Sequence, residues 1–215
     1  NPNTGEVWYN GTANTIKIEA QTTAGAWATG GNLNTGRAAL GGAGDTRDAA
    51  LAFGGGPPPA PGAKAITESY NGTAWTEVAD LNSQRAYTAG AGTYTSAIAS
   101  GGDQYSGVAE SWNGSSWTSL ANSPNTGHSQ AGAGADNTNA LFFGGSPHGN
   151  NAKTIYWNGS SWAELNDLNA ARAGMAGAGK TYTAPLGISG GNPGGSPLVE
   201  SFNGTNWTEI ADVNA

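Results

Sequence analysis

Tyr70-Asn71-Gly72-Thr73-Ala74-Trp75 is the stretch whose reading decides the fold. It returns, little changed, as Trp112-Asn113-Gly114-Ser115-Ser116-Trp117, Trp157-Asn158-Gly159-Ser160-Ser161-Trp162 and Phe202-Asn203-Gly204-Thr205-Asn206-Trp207. An Asn-Gly pair between two β-favouring runs signals a hairpin, because a tight reversal needs positive φ and glycine takes it without steric cost. Such runs are present on both sides. Ala65-Ile66-Thr67-Glu68-Ser69-Tyr70 and Pro197-Leu198-Val199-Glu200-Ser201-Phe202 lead into turns, and Trp-Thr-Glu-Val or Trp-Thr-Glu-Ile leads out of two of them. Trp27, Trp75, Trp117, Trp162 and Trp207 stand 42 to 48 residues apart, although Trp27 lacks the turn. The chain is an internal repeat.

Two further elements recur upstream of each turn. One is a glycine pair, Gly54-Gly55, Gly101-Gly102, Gly144-Gly145 and Gly190-Gly191, each ending a short apolar run such as Leu51-Ala52-Phe53 or Leu141-Phe142-Phe143. These read as strands stopped by a glycine bend. The other is Ala-Gly-Ala-Gly or a near relative, at 41–44, 89–92, 131–134 and 176–179, which reads as the innermost strand of its unit. Each repeat thus holds four short antiparallel strands in about 40–50 residues, the content of one propeller blade. No stretch has helical periodicity beyond a single turn at 166–172. The expected class is all-β, a β-propeller.

Composition agrees. Charged residues make up 11% of the 215, less than half the usual ~25%, and there are 36 glycines. Eight Trp, seven Tyr and four Phe distinguish such a chain from a disordered glycine-rich one, since each large aromatic buries about 150–250 Å². Eight Lys and Arg without a basic run, against a net charge of −7, leave little counterion release to drive nucleic-acid binding. The longest apolar run, 140–143, is far short of the roughly 20 residues of a spanning helix, so no membrane insertion is expected.

The glycine pair, the later aromatic, the Trp after it and the Arg before the next unit (Arg37, Arg85, Arg172) resemble the kelch repeat over about residues 27–215. With its Asn-Gly turns and Ala-Gly-Ala-Gly strands, the variant is most similar to kelch-like repeats of bacteriophage tail proteins, especially marine ones. The segment Asn1-Pro2-Asn3-Thr4-Gly5-Glu6-Val7-Trp8-Tyr9-Asn10 also resembles what precedes such repeats. The resemblance implies a non-enzymatic structural protein of a phage tail or fibre, located in the virion. Its partners would be other virion or tail proteins, further copies of itself, and a host surface glycan or protein. A secreted carbohydrate-binding propeller, or a self-assembling protein of the cell surface, is the alternative.

Complete units run near 37–79, 85–121, 128–165 and 172–211. Residues 1–36 hold three more strand candidates, 6–9, 15–19 and 26–29, and read as an incomplete amino-terminal blade. Five blades in one domain, 1–215, are expected. The third unit departs from the others, with His128 read at the Arg place and Ile155 where Glu68, Glu110 and Glu200 stand three residues before the turn Asn. The glutamates read as strand-face residues; alternatively, Arg and Glu pair between blades, and that blade lacks the pair.

Catalytic sets are missing. Zero Cys excludes thiolate chemistry, including the tyrosine-cysteine copper site of kelch-like oxidases, and two histidines, His128 and His148, cannot make a three-histidine metal site. The repeated glutamates do not offer the paired carboxyls of a glycosidase. Gly-rich stretches such as 177–180 recur as strands with no following helix, so they are not phosphate loops. No cofactor and no metal are expected. Five of the six Asn-x-Ser/Thr sequons, at Asn71, Asn113, Asn158, Asn203 and Asn206, belong to the repeat turn, and that turn accounts for the Asn and Gly without a glycan.

Strand parity assigns the loops to faces. Turns between strands one and two and between three and four share one face of a blade; the other connections share the opposite face. Asn-Gly turns are nearly uniform, whereas second-to-third connections differ in every unit, at 56–63, 103–107, 146–151 and 192–196. Variable loops on a rigid scaffold are where binding concentrates. Asp103, Gln104, Tyr105, His148, Asn150 and Asn151 are therefore the candidate ligand-binding residues.

Overall fold

A computed structural model of the chain describes residues 7–10, 15–18, 30–56, 62–103, 107–146, 151–191 and 194–213. Two compact units result, Asn1–Gly30 and Gly31–Ala215. In the first, β1 (Val7–Asn10) and β2 (Thr15–Ile18) form an antiparallel hairpin with Asn10 opposite Thr15. The strand expected around Trp27 lies outside the described residues.

The second unit contains four four-stranded antiparallel sheets in simple up-and-down order. They are β3 (Gly41–Thr46), β4 (Ala49–Phe53), β5 (Thr67–Tyr70) and β6 (Trp75–Val78); β7 (Ala89–Gly92), β8 (Ala97–Ser100), β9 (Ala109–Trp112) and β10 (Trp117–Ser119); β11 (Ala131–Asp136), β12 (Asn139–Phe143), β13 (Thr154–Trp157) and β14 (Trp162–Leu165); and β15 (Ala176–Ala178), β16 (Leu186–Ile188), β17 (Val199–Phe202) and β18 (Trp207–Ile210). No α-helix occurs among the described residues. The architecture is all-β and consistent with a β-propeller-like fold.

The Asn-Gly turns form as the local chemistry requires. Asn113 Oδ1 accepts from the backbone N–H groups of Ser115 and Ser116, both at 2.9 Å, while Gly114 takes φ +93°. Asn71, Asn158 and Asn203 repeat the arrangement.

Small residues set the distance between sheets at the inner strands. A Cβ on Gly90 would collide with Gly42 O, one on Gly132 with Gly90 O, and one on Gly177 with Gly132 O. The glycines of β3, β7, β11 and β15 therefore form a ladder in which each backbone abuts the previous one. Gly42 begins it: a Cβ there would meet only Leu51 O, at 3.5 Å.

Outward of the ladder the alternating faces of the second strands fill the space between sheets. Leu51, Phe53 and Leu81 pack against Ala97, Ala99, Trp112 and Trp117, with Phe53 and Trp117 edge to face at 5.0 Å. Ile98 packs with Ala140, Phe142 and Trp157, and Leu141, Phe143 and Leu168 pack with Met175, Phe202 and Trp207. Two indoles are tied across sheets, Trp117 Nε1 to Thr67 Oγ1 at 3.1 Å and Trp207 Nε1 to Thr154 Oγ1 at 3.0 Å.

The last unit corrects one alignment. Ala176 pairs with Ile188 where Gly41 pairs with Phe53, and Ser189 N donates to Leu198 O where Gly54 N donates to Ile66 O. The left-handed pair that ends the second strand is thus Ser189-Gly190, with Ser189 at φ +58°, and not Gly190-Gly191. These backbone bonds fix the register against the glycine spelling.

Candidate functional site

Six buried charged side chains stand out among the described residues: Arg37, Glu68, Arg85, Glu110, Arg172 and Glu200. They form three ion pairs, Arg37–Glu68 at 2.8 Å, Arg85–Glu110 at 3.2 Å and Arg172–Glu200 at 2.6 Å. Each pair lies within one repeat, and this corrects the expected pairing between blades; the glutamates stand on β5, β9 and β17, buried rather than facing solvent. The geometry requires it, because the Arg enters just before the first strand while its Glu sits on the third strand of the same sheet.

What crosses between repeats is the asparagine before the Arg. Asn169 N and Nδ2 both donate to Glu200 Oε2, at 2.7 and 2.9 Å, and Nδ2 also reaches Trp207 O at 3.0 Å. Asn82 does the same to Glu110 and Trp117 O, and Asn34 N and Nδ2 bond Glu68 and Trp75 O. The linker leaving one sheet is thereby clasped to the next. Paired and hydrogen-bonded, Arg37, Arg172 and the three glutamates avoid the penalty of a bare buried ion, whereas Arg85 is paired without a hydrogen bond. The signal in the sequence is Leu-Asn-x-x-Arg, at Leu33–Arg37, Leu81–Arg85 and Leu168–Arg172.

Arg37 and Arg172 also donate to three backbone carbonyls each, Thr35 O, Gly54 O and Ile66 O for the first and Ala170 O, Ser189 O and Leu198 O for the second. Arg85 makes no such aligned bond. Desolvation lowers its pKa, and Glu110 and then Asp103 oppose that shift.

The third unit solves the same problem without charge. His128 bridges to Ser146 as Ala38 bridges to Gly56, and Ser129 takes left-handed φ as Ala39 does. The Arg place is therefore Gly127, and the reading of His128 there is off by one residue. With Ile155 fully buried at the Glu place, Asn125 Nδ2 takes over the bond to Gly144 O at 3.0 Å, and Gln130 Nε2 bonds Asn125 O and Gly127 O. Arg and Glu are lost together, so neither is left buried alone.

A belt of left-handed residues runs beside the clasps. Ala39, Tyr87, Ser129 and Gly174 have φ between +53° and +65°. Tyr87 N donates to Ala39 O, Ser129 N to Tyr87 O and Gly174 N to Ser129 O, at 2.7, 3.0 and 3.0 Å, linking the four units in order.

Loop faces follow the parity expectation. Gly55 N bonds Arg85 O, and Gly145 N bonds Arg172 O, so second-to-third connections lie with the linkers. Asp48, Thr95, Thr138 and Thr183, in the first turns, stand beside the glycines of the Asn-Gly turns on the other face. Of the six candidate residues, Asp103 and Asn151 are described. Asp103 Oδ1 accepts from Ala86 N at 3.1 Å while its own N donates to Ala86 O. Asn151 O accepts from Arg172 N, its Oδ1 from Lys153 N, and its Nδ2 reaches Asn125 Oδ1 at 3.4 Å. Both side chains hold loop to linker. Gln104, Tyr105, His148 and Asn150 lie outside the described residues.

On the opposite face the inner strands line an open cavity of about 600 Å³. That volume suits a small ligand. Its wall is mostly glycine and alanine backbone, with Asp45, Thr46, Thr93 and Lys180 toward the turns. Tyr156 and Tyr182 stack at 4.2 Å against the core cluster of Leu141, Phe143 and Phe202, and burial, then Tyr182 and Asp136, raise the Tyr156 phenol above its ordinary value. Among the described residues no three His, Asp or Glu gather as a metal site. Neither a protein-family model nor a curated protein matches the chain.

Proposed function

We propose that this chain is a non-enzymatic structural protein of a phage tail or fibre, a kelch-like propeller that supplies a rigid platform for assembly and for contact with the host surface. The observation that carries the reading is the use made of buried charge: the six buried charged side chains described pair with one another inside their repeats, and the three glutamates among them also clasp the linkers that join repeat units. Such groups are the usual stock of catalytic acids and bases. In this reading residues 1–36 supply a fifth, partial blade, and the variable second-to-third loops face the host.

Mass spectrometry of purified particles, with gold-labelled antibody to this chain in electron micrographs, tests the assignment. Co-purification with capsid and tail proteins and labelling at the tail are expected. Recovery as a lone chain or homopolymer, away from any particle, overturns it in favour of a secreted carbohydrate-binding propeller.

A further inference from the structure

Each Asn-Gly turn holds an electrophile and a nucleophile in adjacent residues. The side-chain amide carbon of the Asn lies open to the backbone N of the following residue, and glycine carries no Cβ to obstruct the closure. Asn71, Asn113, Asn158 and Asn203 are all exposed, so water and hydroxide reach them. What differs from turn to turn is the set of groups around the amide.

The third turn is the best furnished. Asn158 Oδ1 accepts from Ser160 N at 3.0 Å, from Ser161 N at 2.9 Å and from Ser160 Oγ at 2.9 Å. Attack on the amide carbon moves negative charge onto that oxygen, and donors already aimed at it stabilise the tetrahedral state. The departing amine is attended as well, since Asn158 Nδ2 donates to Ser161 Oγ at 3.2 Å. The bonds that close the turn use the N–H groups of Asn158, Ser160 and Ser161 and pass over that of Gly159. Beside Gly159 stands Thr138, which carries no charge. In the first turn Asn71 Oδ1 accepts from the backbone N–H groups of Thr73 and Ala74, Ala74 occupies the Ser161 place, and the carboxylate of Asp48 stands where Thr138 does. A negative charge there opposes loss of the Gly72 amide proton.

We propose that Asn158 is a self-modifying site, at which the folded turn promotes conversion of the asparagine to aspartate and isoaspartate through a cyclic imide. Gly159 N gives its proton to hydroxide and bonds to Asn158 Cγ; the Cγ–Nδ2 bond breaks, and the amine takes a proton through Ser161 Oγ and leaves as ammonia. Water then opens the ring. Breaking the new Cγ–N bond restores the ordinary backbone with a carboxylate in the side chain, whereas breaking the original C–N bond routes the chain through Cβ and Cγ. The first product keeps acceptors for Ser160 N and Ser161 N. The second adds a carbon to the hairpin and displaces Trp157 from its place opposite Trp162. Either adds one negative charge to this face, whether or not the chain belongs to a particle.

The full chain, folded and again unfolded in guanidinium chloride, is incubated in mildly alkaline buffer made with oxygen-labelled water, and each Asn-Gly peptide is then quantified by mass spectrometry. Asn158 is expected to convert about threefold or more faster in the folded chain than in the unfolded one, and to outpace Asn71 only when folded. Ser161→Ala installs the residue that the first repeat already carries. It is expected to slow Asn158 conversion in the folded chain about threefold, with the unfolded-chain rate and Tm in place. Conversion of Asn158 that is equal or slower in the folded chain, or no slower in folded Ser161→Ala, overturns the site.

Discussion

Glu200 serves four donors on the linker that precedes it: Asn169 N, Asn169 Nδ2, Ala170 N and Arg172 Nη2. Glu200→Ala leaves Arg172 charged and buried without its partner, and a loss of about 3–5 kcal/mol is expected in urea unfolding. Arg172→Ala with Glu200→Ala is expected to cost clearly less than the sum of the single losses, because the pair acts as one unit; additive losses would show that it does not. The Arg and Glu recur visibly in the sequence, and the third unit's lack of the Glu is visible with them. The asparagine was not legible as a partner, since Asn before a turn is common and only the fold brings it to a carboxylate about thirty positions later. Tyr156 gives a pH test. Its raised folded pKa means that the unfolded chain loses this proton first, so stability falls as pH rises past about 10. Tyr156→Phe is expected to flatten that alkaline decline in a Tm-against-pH series.

Among the strands, the inner ones have the narrowest tolerance. Gly132→Ala on β11 drives a methyl into Gly90 O of β7, a backbone atom that moves only if the sheets part. A loss of about 1–3 kcal/mol is expected, against a much smaller one for Gly195→Ala, where a Cβ meets open space. Equal losses in thermal melts would contradict the ladder. Strand order was readable from Asn-Gly turns, glycine pairs and small-residue runs, because each has a local stereochemical cause. Register was less so. The shift to Ser189-Gly190 depends on which carbonyl lies opposite each N–H, and two or three adjacent glycines leave several spellings of one bend. His128 shows the same hazard: Gly127 stands four positions before Ala131, as Arg37 stands before Gly41, and the likeness of a His to an Arg draws the assignment one residue too far.

Over the 31–215 unit, each sheet covers the one before it, and the last has a face with no described follower. Leu81, Leu168 and Val213 occupy one position, each donating its N–H to the connection before the third strand, at Ala65 O, Ala152 O and Pro197 O. The leucines are 4% exposed, whereas Val213 is 40% exposed. Leu168→Ala is therefore expected to cost about 2–5 kcal/mol and Val213→Ala under about 0.5 kcal/mol in chemical unfolding. A large loss at Val213 would mean that something covers it in solution.

The clasps also have a direction in time. Asn34 waits 34 positions for Glu68, Asn82 waits 28 for Glu110 and Asn169 waits 31 for Glu200. A ribosome delivers the asparagine first, and the carboxylate that secures it follows within one repeat, so no clasp depends on a distant part of the chain. Each newly emerged sheet can lock against its predecessor while the next is still being translated, and the slow search for long-range strand partners is divided into short closures of about thirty residues. The polypeptide can be finished vectorially, from amino end to carboxyl end, with little unpaired edge exposed at any moment of its synthesis.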